Sequence, residues 1–347
     1  MDWITAPIAN LYHALSDRFI VVLGYPLASG ERVFWLYLLS SVSVAWLIYR
    51  RRSTDQSEGN SFFGFLFPKK VWNHASAWLD VRYFFFHQLL GKLGYVILLA
   101  FTVNAAFQWV TGGPNMVSVA QTAPDGGWRG VAISIGYMFL VVAVVDFVAF
   151  FLHYLQHKVP ILWEFHKVHH SSEVMHPLSN YREHPIDNFT YAIGTGIAYG
   201  LFMGLARVHL GYVPTMPQVL GLPVIFFLFN IAGYNLRHSH IWLRWPGRWS
   251  MIFPSPAHHH VHHSRHPEHL DKNFAFVFPL WDVLFRTYEM PETDKDVEFG
   301  IYGQQGETEY STCWRLYYLP FRNIFRKLRQ KPEPAKAPVS SPVQAER

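Results

Sequence analysis

Histidine is the side chain that dominates the chemistry available to this sequence. Twenty histidines occur in 347 residues, and seventeen of them lie between positions 153 and 269. Residues three and four positions apart share one face of a helix. That spacing occurs as H-x-x-x-H once and as H-x-x-H-H twice, in three separate blocks: His153 and His157; His166, His169 and His170; and His259, His262 and His263. The repeated pattern predicts a metal centre assembled from imidazoles on three helical segments.

The number of histidines narrows the kind of metal centre. Imidazole binds iron, copper, zinc and nickel, so the ligand type alone does not identify the metal. Eight histidines exceed the four ligands of one tetrahedral zinc ion and are sufficient for two metal ions with open positions. The H-E-x-x-H motif of zinc hydrolases does not occur, and a single cysteine, Cys313, excludes cysteine-based clusters. Asp146 lies seven residues before His153 on the same helix face, and we expect it to orient an imidazole N–H.

The elements that must position these histidines are predicted to be membrane helices. Half of the residues are hydrophobic, 17% are aromatic and only 15% are charged, whereas soluble domains carry about 25% charged residues. About 20 apolar residues cross a bilayer as a helix. Stretches near that length predict an all-α protein with about four to five transmembrane helices; the alternative is a soluble protein with buried core helices. The stretches are 33–49, 93–110, 130–153, 188–206 and 216–236.

The distribution of Lys and Arg predicts the orientation in the membrane. With the N-terminus outside, the segments 50–92, 153–187 and 237–347 lie inside and contain 25 of the 29 cations. This asymmetry follows the positive-inside rule. The outer side then holds the remaining cations, Arg18, Arg32, Arg129 and Arg207. Because all three histidine blocks fall on the inner side, we expect a helical cap there with the metal site and the C-terminus. No cleaved signal peptide is predicted.

Four regions follow from this reading of the chain. They are an N-terminal segment with the first transmembrane helix (1–52), a cytosolic linker and interfacial segment (53–92), a membrane-embedded catalytic domain (93–290) and a cytosolic C-terminal segment (291–347). Residues 53–60 are a polar linker, and a disordered tail is predicted from about residue 331 because it is rich in Pro, Ala and Ser. The net charge of +5 is not clustered beside a nucleic-acid-binding module, so no nucleic-acid partner is expected.

The order of the histidine motifs resembles the fatty acid hydroxylase/sterol desaturase superfamily. The motifs are HYLQH, WEFHKVHHSSE, HHHVHHSRHPEHLDKNF and LWDVLFRTY, and the resemblance, with Asp146 included, covers 146–288. The resemblance implies a multi-pass membrane enzyme with two iron ions (Fe²⁺/Fe³⁺) and dioxygen as co-substrate. It implies that Asp146, Asn273 and Asp282 support the metal site. It also implies nine iron ligands: His153, His157, His166, His169, His170, His238, His259, His262 and His263.

The sequence departs from the family pattern at several histidines. It reads His238-Ser-His240 where the family often has H-x-N or H-x-E, and His260 stands where an arginine is common. These departures leave His240 and His260 open as further ligands, and His184 is a third such candidate. The remaining histidines near the blocks, His176, His266 and His269, are expected to be flanking polar residues. His209 is expected on the opposite membrane side.

The resemblance implies oxidation of a membrane lipid, most directly hydroxylation of a fatty acyl, sphingolipid or sterol C–H bond. Desaturation of the same substrates is the alternative reaction, and an inactive metal-binding membrane protein is the alternative without catalysis. A metal transporter would require ionisable groups across the membrane midplane, and the apolar stretches are nearly free of them, Asp146 near an inner end being the exception. Neither a haem-attachment motif nor a flavin fingerprint occurs, so electrons must come from an external donor: a cytochrome b5-like protein, a ferredoxin or a similar reductase.

Overall fold

The computed structural model describes residues 13, 15–52, 61–92, 94–113, 121–122, 127–292, 297–303 and 309–329. The predicted linker at 53–60 and the predicted tail from residue 331 lie outside the described residues. The described part is mostly helical, as the all-α prediction requires. Its strands are two-residue pairs: Gln121–Thr122 is parallel to Val213–Pro214, and Gln218–Val219 is antiparallel to Leu222–Pro223.

The α-helices are numbered in chain order. They are α1 (Trp35–Arg52), α2 (Phe62–Leu66), α3 (Lys69–Trp72), α4 (Ala75–Phe86), α5 (Tyr95–Thr111), α6 (Trp128–Lys158), α7 (Pro160–His170), α8 (Pro185–Leu210), α9 (Val224–Ile231), α10 (Trp249–Ile252), α11 (Pro256–His263), α12 (Leu280–Phe285) and α13 (Cys313–Arg329). A π-helix, His87–Gly91, follows α4, and 3-10 helices include Pro177–Tyr181 and Tyr234–His238.

Two helices of the described residues are long and apolar enough to cross a membrane. They are α6, with 31 residues, and α8, with 26 residues. At 1.5 Å per residue α6 is about 46 Å long, which exceeds the hydrocarbon thickness of about 30 Å. A third span results if α4, the π-helix and α5 count as one segment bent by 50°. These two or three candidate spans are fewer than the four to five predicted.

The fifth apolar stretch, 216–236, differs most from the predicted span. It contains a short strand pair, then the eight-residue α9, then a 3-10 helix. Pro217 and Pro223 interrupt the helical pattern, because proline lacks the N–H that a helix interior needs. Gly221 and Gly233 adopt φ values of 80° and 103°, in the left-handed region outside the α-helix. At about 12 Å, α9 is too short to cross a bilayer.

The start of α1 also differs from the predicted topology. Arg32 is predicted on the outer side and Glu183 on the inner side, but Arg32 Nη1 lies 3.9 Å from Glu183 Oε1. Asn235 Nδ2 donates a hydrogen bond to the Arg32 carbonyl at 2.7 Å. These contacts bring the loop before α1 to the same side of the molecule as residues 153–187. The Glu183 carboxylate is only 25% exposed, and a nearby cation lowers the free-energy cost of that partial burial.

The candidate spans α5 and α8 pack closely through small residues. Gly196, Gly200 and Gly204 repeat at four-residue intervals along one face of α8. A Cβ atom at Gly200 would lie 2.2 Å from the Val103 carbonyl oxygen of α5. Only glycine permits this approach, which is the small-residue packing typical of membrane helices. The contact holds the first turn of α8 beside the histidine-rich segments.

Helix α13 packs against both α4 and α7. Leu316 and Leu319 are buried in one hydrophobic cluster with Leu79 of α4 and Val168 of α7. Asn323 Nδ2 donates to Glu164 Oε2 of α7 at 3.1 Å. The helix therefore fixes α7, which carries the central histidine block, against α4.

Candidate metal centre

The histidine blocks meet because three helices end at one place. Helix α6 ends at Lys158, Val159 is extended, and Pro160 begins α7 at its first helical position. Proline suits that position because its missing N–H has no partner inside the helix there. The sharp junction turns His153 and His157 toward the histidines of α7. Helix α11 brings the third block and begins with a capping box between Ser255 and His258.

The structure brings the nine histidines predicted as ligands into two groups. In each group, one nitrogen from every histidine lies within 4.8 Å of those from the others. The first histidine cluster consists of His153, His157, His166, His170 and His262. The second histidine cluster consists of His169, His238, His259 and His263.

Close nitrogen pairs within each cluster match the spacing of ligands around one ion. In the second histidine cluster, the Nε2 atoms of His259 and His263 lie 3.0 Å apart, and those of His238 and His259 lie 3.1 Å apart. In the first, His157 Nε2 lies 3.2 Å from His170 Nε2. Two nitrogens each about 2.1 Å from a metal ion, at a right angle, are about 3.0 Å apart. The geometry therefore fits metal coordination.

The two clusters adjoin each other. The His170 and His263 rings, one from each cluster, stack with centroids 4.4 Å apart. The centroids of His169 and His170, which are consecutive in α7 but belong to different clusters, are 5.8 Å apart. Such proximity suits a pair of neighbouring metal ions rather than two independent sites.

Backbone carbonyls orient three of the histidine rings. His153 Nδ1 lies 2.9 Å from the Phe274 carbonyl, and His262 Nδ1 lies 2.8 Å from the Lys272 carbonyl. His169 Nδ1 lies 3.2 Å from the carbonyl oxygen of Arg182. An N–H donated at Nδ1 fixes the tautomer and leaves Nε2 as the acceptor that binds a metal.

Two carboxylates near the first histidine cluster were not identified as partners of the rings from sequence. Asp187 Oδ2 lies 3.4 Å from His166 Nδ1, and both side chains are buried. Gln156 Nε2 donates to Asp187 Oδ1 at 3.2 Å, which holds that carboxylate in place. Asp271 Oδ1 lies 3.5 Å from His157 Nδ1, but its side chain is 42% exposed. Asp187 follows the predicted histidine blocks by more than fifteen positions, so spacing gave no signal for it.

Burial keeps the clustered imidazoles in the neutral form. Burial, together with the neighbouring His166, lowers the pKa of His169 to about 4. Burial also lowers the pKa of His166 and of His262 to about 3 in each case. A metal ion binds neutral imidazole, so these side chains are in their binding form at neutral pH.

Several buried nitrogens of the clusters have no hydrogen-bond partner. They are His153 Nε2, His262 Nε2, His263 Nδ1 and both ring nitrogens of His166. Leaving a buried polar atom unsatisfied costs about 1–3 kcal/mol. A metal ion at the centre of the first histidine cluster would satisfy the Nε2 atoms of His153 and His262 and one of the two nitrogens of His166. The donor set, with nitrogen ligands and open positions, fits iron chemistry.

Asp146, predicted to orient a histidine ring, binds a loop instead. Its carboxylate accepts hydrogen bonds from Val277 N and Phe278 N, each at 3.0 Å, and from Trp281 Nε1 at 2.9 Å. Seven residues along a helix are about 10.5 Å, which is too far for this carboxylate to reach the His153 imidazole. Asp146 thus fastens to α6 the loop whose Phe274 carbonyl orients that ring.

Asp282 and Asn273 hold the same loop. Asp282 accepts from Phe274 N at 2.8 Å, and Asn273 Nδ2 donates to the Glu289 carbonyl at 2.9 Å. Asp271 and Asn273 have φ values of 60° and 56°, a left-handed conformation that Asp and Asn tolerate better than most residues. The two carbonyls that orient His153 and His262 belong to residues directly beside these turns.

The three further candidate ligands lie outside both clusters. His184 caps α8 by accepting from Ile186 N at 3.1 Å. His240 Nε2 lies 2.8 Å from the Phe65 carbonyl, and His260 Nε2 lies 3.2 Å from the Leu236 carbonyl. Among the histidines expected to be flanking residues, His176 contacts a carboxylate, and His266 and His269 lie outside the clusters. His209 is exposed at the last turn of α8.

A buried ion pair supports the second histidine cluster. Arg182 is fully buried and binds Asp80 of α4, and its Nη2 donates to the Ser76 carbonyl at 2.9 Å. His176 Nε2 lies 3.0 Å from the other oxygen of Asp80. Because the Arg182 carbonyl accepts from His169, this ion pair positions a predicted ligand. Sequence reasoning missed it, since Asp80 is 102 residues away and outside every motif.

Residues 138–287 match the fatty acid hydroxylase family. The chain is 31% identical over 179 residues to alkylglycerol monooxygenase of Danio rerio and 28% identical over 161 residues to that of Homo sapiens. These alignments cover 50% and 45% of this chain, and 35% and 31% of the relatives. Ornithine lipid hydroxylase OlsE of Rhizobium tropici is 26% identical over 167 residues, 48% of this chain and 45% of the relative. No solved structure matches the chain.

The predicted superfamily resemblance is thereby confirmed over the domain that matches this family, residues 138–287. This domain contains α7, α8, α11, the part of α6 from residue 138 and all nine histidines of the two clusters. The aligned region spans about a third of the length of the curated alkylglycerol monooxygenases.

Proposed function

We propose that this chain is a membrane-bound di-iron monooxygenase that hydroxylates a C–H bond of a lipid with dioxygen. The observation that carries the proposal is the pair of adjoining clusters made of histidine alone. The names of the relatives, monooxygenase and hydroxylase, favour hydroxylation over desaturation.

The nine clustered histidines would hold two iron ions, five around one and four around the other. Iron in such a site supplies the activation of dioxygen that oxidation of an unactivated C–H bond requires. The protein's own contribution is to fix three of the ligands through the carbonyls of Phe274, Lys272 and Arg182. Each carbonyl keeps its imidazole ring in one tautomer and one orientation.

A cavity of about 450 Å³ beside the clusters is the proposed lipid site. His153, His169 and His238 line one side of it, and apolar side chains such as Phe229 and Phe276 line another. A lipid chain in this cavity would displace water and bring a carbon close to the clusters. Exclusion of water there limits competing oxidation.

We also propose how the enzyme is oriented in the membrane and where its electrons come from. We place the clusters and the C-terminus at the cytosolic face, with the N-terminus outside and residues 93–290 as the catalytic domain. Electrons come from an external donor, a cytochrome b5-like protein, a ferredoxin or a similar reductase. The excess of basic residues in the proposed inner segments favours an acidic donor.

The decisive experiment measures iron, oxygen and lipid together. Purified full-length protein should contain about two iron ions per chain and consume oxygen when reductant and a membrane lipid extract are supplied. Mass spectrometry should detect a lipid that gains one oxygen atom, whereas desaturation would remove two hydrogens. Iron-loaded protein that neither consumes oxygen nor alters any lipid would refute the enzyme and favour an inactive metal-binding protein.

A further inference from the structure

The cavity beside the histidine clusters has a charged wall as well as an apolar lining. Arg32, Lys92 and Glu183 line this wall together with the polar side chains of Asn180 and Asn188. Arg32 comes from the loop before α1, and Lys92 comes from the bend between the π-helix and α5. Binding of a hydrocarbon chain alone does not explain these charged side chains, because burying charge beside hydrocarbon is unfavourable.

Arg32 and Lys92 both lie near the Glu183 carboxylate, but at distances longer than a charge-assisted hydrogen bond. Both cations can therefore bind a further anion. Arg32 Nη1 lies 3.9 Å from Glu183 Oε1, and Lys92 Nζ lies 3.6 Å from Glu183 Oε2. Charge-assisted hydrogen bonds are usually about 2.7–2.9 Å long. Arg32 also donates to the Asn180 carbonyl at 3.3 Å, and Lys92 donates to Asn188 Oδ1. The Arg32, Lys92 and Glu183 side chains are 35%, 19% and 25% exposed, so each remains partly accessible.

The other acidic groups near this wall have partners of their own. Burial raises the pKa of Glu31, the residue beside Arg32. Asp146 also lines the cavity but accepts from three N–H donors. Asp187 faces His166 and accepts from Gln156. Glu183 is therefore the carboxylate that lies beside both Arg32 and Lys92.

We propose that Arg32 and Lys92 bind the oxyanion of a singly charged lipid headgroup, with Glu183 holding the two cations at the spacing that admits it. Guanidinium and ammonium groups are the side chains best suited to phosphate and carboxylate oxygens. The site selects lipids that carry such an anion and orients them with the hydrocarbon chain toward the histidine clusters. This inference rests on the proposed lipid hydroxylase function.

Binding of three lipids with one common chain tests the site. The probes are tritiated palmitic acid, palmitoyl-lysophosphatidylglycerol and palmitoylglycerol, which carry a carboxylate, a phosphodiester and no charge. Scintillation proximity with full-length protein in a neutral detergent should show that an anionic lipid binds about ten- to hundredfold more tightly than palmitoylglycerol. A phosphodiester preference identifies a phospholipid as the source of the anion, and a carboxylate preference identifies a fatty acid.

Substitutions assign the preference to this wall. Arg32→Gln and Lys92→Gln should each remove most of the anion preference while the affinity for palmitoylglycerol stays unchanged. Arg129→Gln, at the opposite end of α6, is the matched control and should keep the preference. An equal loss of affinity for all three lipids would overturn the assignment. A loss of the anion preference in Arg129→Gln would overturn it as well. If a variant fails to fold, the affinities of the wild-type protein for the three lipids still test the site. Equal affinities for all three lipids would refute it.

Oxygen consumption separates this inference from the proposed function. Protein that keeps the anion preference but oxidises no lipid would refute the hydroxylase and retain the headgroup site. Protein that binds and oxidises anionic and neutral lipids equally well would retain the hydroxylase and refute the headgroup site.

Discussion

The fatty acid hydroxylase domain at 138–287 supplies all nine clustered histidines, whereas the elements around it supply much of their support. Asp80, outside the domain, binds Arg182, whose carbonyl orients His169. Arg32 and Lys92, also outside, form the charged wall of the cavity. The domain therefore determines which metal chemistry is available, and the surrounding helices determine how firmly the ligands are held and what the cavity accepts.

The largest effect, on both iron content and oxygen consumption, is expected from removing a single histidine of either cluster. His169→Ala and His262→Ala should each lower the iron content by at least one ion per chain and abolish oxygen consumption, because even loss of an outer partner of a metal ligand costs about 10- to 100-fold. Iron analysis and an oxygen electrode provide the measurements. The exposed His209→Ala variant is the control and should behave as wild type. Normal iron content in His169→Ala would contradict the assignment of the second histidine cluster.

The ion pair that joins the domain to α4 should have the next largest effect. Arg182→Met leaves Asp80 buried without its cation, which costs about 3–5 kcal/mol of unfolding free energy. The midpoint of thermal unfolding in one detergent measures the loss. Arg265→Met removes an exposed pair with Glu298 and should cost less than about 1 kcal/mol. Equal midpoints for the two variants would show that the surrounding helices do not stabilise the domain through this pair.

Within the domain, the two carboxylates beside the first histidine cluster should differ in how much their removal weakens metal binding. Asp187→Asn should weaken metal affinity by about 10- to 100-fold, because the buried carboxylate is the partner of His166. Asp271→Asn should have a smaller effect, since Asp271 is 42% exposed and also binds Lys158. Competition with a chelator gives both affinities. A larger effect at Asp271 would reverse the order that burial predicts.

The smallest effect is expected where α8 of the domain packs on α5 outside it. Gly200→Ala places a Cβ against the Val103 carbonyl, and overpacking of this kind costs about 1–3 kcal/mol. Gly136→Ala in α6 meets no atom within 4 Å and should be neutral or stabilise by up to about 1 kcal/mol. Thermal unfolding of both variants checks the difference. A neutral Gly200→Ala would mean that α5 and α8 can separate without cost.

The sequence predicted the residues of the two clusters better than their surroundings. Spacings of three and four residues put imidazoles on one face of a helix, so local periodicity was sufficient to select eight of the nine. His238 lies in no such block and was predicted from the family resemblance. Local periodicity could not assign His169 and His170, which are adjacent, to different clusters, because that depends on how α7 meets α11. The partners Asp187, Arg182 and Asp80 depend on contacts between distant segments, which no local pattern records.

The membrane helices were predicted less well than the histidines. Hydropathy identified α6 and α8 because both are long and uninterrupted. It could not separate a span from an apolar stretch broken by Pro217, Gly221 and Pro223, as in 216–236. Nor could charge counting anticipate that Arg32 lies beside Glu183, because the positive-inside rule describes the average placement of cations and not the partner of one of them.

Each histidine cluster combines residues of α7 with residues of α11, more than eighty positions later in the chain. Neither cluster can be complete until residue 263 has been synthesised and α11 has packed against α7. If the clusters hold iron as proposed, iron loading is a late step of biogenesis. A cell short of iron would then accumulate fully synthesised chains whose buried nitrogens lack partners, and these chains would be less stable and more readily degraded than loaded ones.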